Sequence, residues 1–154
     1  MGKTVQEKAE RKVVTVALSA VAAGETKDAF AFVSSDPTWL VSAKVLTATG
    51  VTADASDYLT FSVLPYSAAG VVQSAAATAD TTVADGTDIT ANVPFIIGDE
   101  TDSDSGLDTD NNAVEAEGAV LVRVVSTANG ALAAGAVAVL EFAPTQGISN
   151  SYTV

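Results

Sequence analysis

The chain contains no cysteine and no histidine. Without cysteine there is no disulfide, no thiolate nucleophile and no zinc–thiolate centre, and nothing marks a redox compartment. Without histidine the commonest general base and the commonest transition-metal ligand are both missing. Any catalyst would have to run on carboxylates, lysine, tyrosine or a hard metal, so the expectation is a non-enzyme that needs no cofactor. Cations are scarce too: seven Lys and Arg stand against nineteen Asp and Glu, for a net charge of −12. Such a chain repels phosphate backbones, which argues against nucleic acid as a partner. Long apolar runs are absent. The longest, residues 131–140, is too short and too rich in alanine to span a bilayer, so no membrane partner is expected.

What remains is ample. Hydrophobic residues make up 48% of 154 positions, enough for one domain with a sizeable core and too many for wholesale disorder. The cations are unevenly spread. Lys3, Lys8, Arg11 and Lys12 crowd the first dozen residues, and beyond Lys44 only Arg123 faces fourteen acids. A short basic arm, 1–12, therefore precedes an acidic single domain, 13–154. The stretch from Val13 to Ala23 mimics the apolar part of a secretory leader, but Glu7 and Glu10 precede it, and its alternation reads as a strand.

Period two dominates the pattern. Val14, Val16 and Leu18 share one face; Phe30 and Phe32 alternate with Ala29, Ala31 and Val33. Trp39, Val41, Ala43 and Val45 face one way, and Leu59, Phe61 and Val63 form the matching face of another strand. Ser67–Asp88, with little to bury, could hold a weak edge strand around Thr81–Val83 or form a long excursion; a short strand is expected over Val93–Ile97, and two more around Val120–Val124 and Val137–Phe142. Asn129-Gly130, two residues that accept positive φ, signals a hairpin between that last pair. Seven or eight short strands with turn signals between them and no convincing helix predict an all-β antiparallel sandwich.

Few residues promise chemistry. The acidic loop from Gly98 to Gly118 clusters hard oxygens of the kind Ca²⁺ takes, and Asp108, Asp110 and Asn112 match the first three ligands of an EF-hand loop. The match then fails, with Ala113 at the glycine position and Ala119 at the bidentate glutamate position. A solvated loop that buries little is the competing reading. Glu141 opposite Arg123 would form a cross-strand pair. Trp39, Tyr58, Tyr66 and Tyr152 could stack on sugar but are dispersed, and Trp39 beside Val41 reads as core.

Two pairs of segments, Thr38–Gly50 with Asp54–Val63 and Gly118–Val124 with Ala136–Phe142, resemble the strands of small β-sandwich or jelly-roll virion proteins of tailed bacteriophages. The resemblance covers residues 28–65 and 118–143 and consists mostly of strand grammar that many sandwiches share. It implies a jelly-roll-like sandwich of about eight strands and a capsid decoration, or cement, protein on the head exterior. Such proteins are often homotrimers bound to the major capsid protein. No catalytic or ligand residue is carried over. On that reading Lys3, Lys8, Arg11 and Lys12 would tether the arm to an acidic capsid surface. The alternatives are a head-fibre or tail accessory protein and a non-catalytic carbohydrate-binding sandwich.

Overall fold

β-Branched residues at alternate positions favour extended backbone, because their side chains pack best on a pleated surface. In the computed structural model, which describes residues 11–84 and 88–144, they build nine strands. These are β1 (Lys12–Ala17), β2 (Thr26–Val33), β3 (Thr38–Leu46), β4 (Leu59–Tyr66), β5 (Ala77–Asp80), β6 (Phe95–Asp99), β7 (Ala113–Val114), β8 (Ala119–Ser126) and β9 (Val137–Ala143). The described residues contain no helix. Residues 1–10, which include most of the expected arm, lie outside the described residues; β1 begins at Lys12.

Two antiparallel sheets result, in the orders β1-β9-β3-β6 and β2-β8-β4-β5, with the two-residue β7 added to β3. Setting β7 aside, the first strand pairs with the last, the second with the next to last, and so inward to β4 with β5. This nested pairing is a long hairpin rolled into a sandwich: the jelly roll. The expected edge strand is present but lies earlier than the sequence suggests, at Ala77–Asp80. Thr81 follows it fully buried; its Oγ1 accepts from Leu59 N at 3.0 Å.

One core lies between the sheets. Leu40, Ala43, Val45, Leu140 and Phe142 from one sheet meet Leu59, Phe61, Val63, Val120 and Val122 from the other. Phe61 is completely buried, its ring 5.7 Å from that of Phe95, and Phe32 meets Phe142 edge-on at 4.9 Å.

Three expectations of register fail, each for a physical reason. In β3, Leu40 pairs with Phe142 but Ser42 pairs with Glu141, so Val41 is an inserted residue. A bulge of this kind reverses which parity faces inward. Leu40 enters the core with Ala43 and Val45, while Trp39 and Val41 leave it; Val41 packs with Ala143 instead. In β2 the same happens at Ala31, so Phe32 packs inward and Phe30, 70% exposed, faces solvent. Third, Asn129-Gly130 joins no hairpin, because β8 and β9 belong to different sheets. The turn caps a crossover, with Gly130 N donating to Thr127 O at 3.0 Å. Its glycine is required by proximity, since a Cβ there would sit 2.4 Å from Tyr58 O.

Because Phe61 fills the centre of the core, Phe61→Ala should lower unfolding free energy by about 3–5 kcal/mol. Chemical denaturation of the two proteins would measure it; a loss under about 1 kcal/mol would place the ring outside the core.

Candidate functional site

Arg11 stands immediately before the edge strand β1. Arg11, mostly buried, donates through Nη1 to Glu141 Oε1 at 3.0 Å and through Nη2 to Glu100 Oε1. Burial is the strongest single influence on its charge and opposes it. The hydrogen bonds and charges of Glu141 and Glu100 together outweigh that, so its pKa lies above the ordinary arginine value. Lys12 lies with Nζ 4.0 Å from the Phe32 ring centroid, a cation–π contact. Of the four cations expected to form a tether, Arg11 and Lys12 are thus spent on the sandwich itself, while Lys3 and Lys8 lie outside the described residues. No sequence signal marks Glu100 and Glu141 as Arg11's partners; they come from β9 and the loop after β6.

The expected Glu141–Arg123 pair does not form, because their strands lie in different sheets. Arg123 instead holds Asp28 with two bonds, 2.7 and 2.8 Å, across the β2–β8 register.

The acidic loop is less of an excursion than its composition suggests. Ser105 Oγ accepts from Asp99 N at 2.8 Å and donates to Asp99 O at 3.0 Å. Thr78 N donates to Gly106 O, Asp108 N donates to Ala76 O, and Leu107 packs against the core. A Cβ at Gly106 would lie 1.7 Å from Thr78 O, so only glycine allows this approach. The half of the loop from Ser105 onward therefore covers the β5–β6 end of the sandwich. Asp108 is turned to local work, accepting from Asp110 N at 3.0 Å and from Asn111 Nδ2 at 2.7 Å. Asn112 is buried and donates to Leu40 O at 2.8 Å; its Oδ1 has no hydrogen-bond partner among the described residues. No group of three or more acidic side chains among the described residues is placed to hold a metal ion.

Of the dispersed aromatics, the fold brings two together. Trp39 at the start of β3 and Tyr66 at the end of β4 line one surface recess of about 330 Å³, with Pro37, Pro65, Gln73 and Glu115. The indole is half-buried here rather than part of the core. Tyr58 lies elsewhere, at the β4 start, and Tyr152 falls outside the described residues.

No protein-family model matches the chain, and no curated protein sequence matches it. Among solved structures, two crystal structures of a CocE/NonD family hydrolase from Staphylococcus aureus align at a TM-score of 0.29 and 11% identity. They cover 88% and 92% of this chain but 29% and 30% of theirs. The structure of infectious bursal disease virus, Gt strain, aligns at a TM-score of 0.26 and 13% identity, over 87% of this chain and 42% of that one. The chain thus spans less than half the length of each. Likenesses this weak bear on neither activity nor assembly.

Five carboxylates are held below their ordinary pKa by donors that exist only in the fold. Arg123 does this for Asp28, the Ser56 amide for Asp54, the Thr101 amide for Asp99, the Asn111 side chain for Asp108, and the Ala22 amide for Glu25. A depressed folded-state pKa contributes stability that is complete above the unfolded value and is lost as pH falls through the folded one. Melting temperature should accordingly be flat above about pH 5 and fall steadily below about pH 4. Asp28→Asn should lower the neutral plateau by a small amount and converge with the parent protein at the acid end, so that the melting temperature depends less steeply on pH. Added CaCl₂ or chelator should move the neutral melting temperature by no more than about 1 °C; a saturable rise would make the loop a calcium site.

Proposed function

We propose that this protein is a structural component of a bacteriophage virion that binds the outside of the head and stabilises the capsid. The observation that carries the reading is the clamp at the arm's root. Arg11 is gripped by Glu100 and Glu141 from two separate parts of the chain, and Lys12 is seated on Phe32. A rooted arm transmits an attachment at its far end to the whole sandwich, whereas one joined by a flexible link would not. Lys3 and Lys8 then supply the charge toward an acidic major capsid protein, and the acidic body keeps decorated particles apart. The jelly roll supports the proposal by fold-level analogy only, since viral capsid proteins and lectins both use it.

The mechanism is mass action. A protein that binds the assembled shell and not its dissociated parts stabilises the shell in proportion to the free energy of that contact. It involves no bond chemistry, in keeping with a chain that has neither histidine nor cysteine. A homotrimer placed between capsomers would multiply each weak arm contact by avidity.

Deleting residues 2–10, which spares the Arg11 clamp, should leave the melting curve within a few degrees of the full chain. Added back to heads lacking it, the truncated protein should need a higher concentration to saturate, and the full chain's binding should weaken with salt, since exposed charges are screened over about 10 Å at 0.1 M. Equal saturation by both proteins at every salt concentration would overturn the arm as tether. The mass of the protein in solution would decide trimer against monomer.

A further inference from the structure

A second feature stands apart from the arm and uses none of the residues that root it. The bulge at Val41 turns Trp39 away from the core, and its partners on the two neighbouring strands are both alanine, Ala113 and Ala143. Tyr66, across the recess, pairs with Ala119 on one side and with the exposed Val72 on the other. The small ladder partners of Trp39 leave little to cover the indole. Phe30, turned outward by the second bulge, stands 6.4 Å from Tyr66 and is 70% exposed, which a soluble sandwich gains nothing from by itself. Trp39 and Tyr66 thus line the recess, Phe30 stands beside Tyr66 just outside it, and Pro37 and Pro65 in the lining are conformationally stiff.

Its polar groups are few and held in place. Glu115 Oε1 accepts from Ala68 N at 2.6 Å, which orients the carboxylate. Gln73 Nε2 donates to Val71 O at 2.9 Å, which orients the amide. About 330 Å³ sits at the lower end of the range for small-molecule clefts, about 300–1,000 Å³. Aromatic faces flanked by a fixed amide and a fixed carboxylate suit a molecule with an apolar face and a rim of hydroxyls. A pyranose is such a molecule: its C–H face stacks on a ring and its hydroxyls reach planar acceptors. Among the described residues no lysine or arginine lines the recess, Arg123 beside Tyr66 is already held by Asp28 with two bonds, and the chain carries −12, so an anionic sugar is disfavoured.

We infer that the Trp39–Tyr66 recess binds a neutral saccharide. Gln73 and Glu115 take its hydroxyls, and Phe30 extends the platform to a second ring of a longer glycan.

Trp39 is the only tryptophan, so its emission reports on this site alone. The full chain would be titrated with glucose, galactose and N-acetylglucosamine, with tetrasaccharides of each, and with sialyllactose and choline as charged controls. The expected result is a saturable emission change with at least one neutral probe, half-complete between micromolar and millimolar concentrations, and tighter for the tetrasaccharide. Tyr66→Ala should weaken it at least tenfold. Gln73→Ala, at an exposed position with no core contact, should weaken it severalfold with an unchanged melting curve. The inference is overturned by no saturable change with any neutral probe up to tens of millimolar. A response confined to choline or sialyllactose, or affinity unaltered in both variants, would overturn it equally.

Discussion

Closure of β1 onto β9 joins the two ends of the strand sequence, and every other pairing nests inside it. Partners such as Val14 and Leu140 lie far apart along the chain, so the contact is bought with loop-closure entropy that no local element repays. The compensation comes from the shared core, where Phe61, Leu140 and Phe142 are all but inaccessible. A topology dominated by such pairings folds slowly, and it exposes unpaired strand edges until closure is complete. The Arg11 clamp sits at the entrance to β1 and ties this edge to Glu141 on β9 and to Glu100 after β6. It fastens the edge strand of one sheet at the start of β1.

Two inserted residues shape the surface as much as the core does. Val41 and Ala31 each add one position to a strand without adding one to its partner. On β3 the consequence is that Leu40 replaces Trp39 inside; on β2 it is that Phe30 and Phe32 part company. Both displaced aromatics end near Tyr66, one lining the same recess and one beside its ring. Bulges are the device by which a sandwich re-aims a side chain without breaking its ladder, and here both act on the same corner.

Charge is distributed with similar economy. All five described cations are occupied by named partners: Arg11 by Glu100 and Glu141, Lys27 by Glu25, Lys44 by Asp99, Arg123 by Asp28 and Lys12 by the Phe32 ring. Acids also satisfy turns, with Asp54, Asp99 and Asp108 each accepting from the backbone amide two residues on. An acidic loop can therefore be structural without being a metal site.

The all-β class, the approximate strand positions and the inward triplet Leu59, Phe61 and Val63 were legible in the sequence, because alternation over an unbulged strand maps directly onto one face. The absence of histidine and cysteine, and the segregation of cations into the first dozen residues, are likewise properties of the sequence alone. Its limits have equally definite causes. A bulge leaves no mark in a run such as Thr38–Leu46, where every parity is apolar enough to be buried. Asn129-Gly130 turns the chain in either a hairpin or a crossover, and which one depends on the sheet that the next strand joins. Arg11's partners lie 89 and 130 residues away, and the Trp39–Tyr66 recess joins strands of opposite sheets. Pairings at that distance are set by which closure buries the most apolar surface, a property of the whole chain that no local pattern encodes.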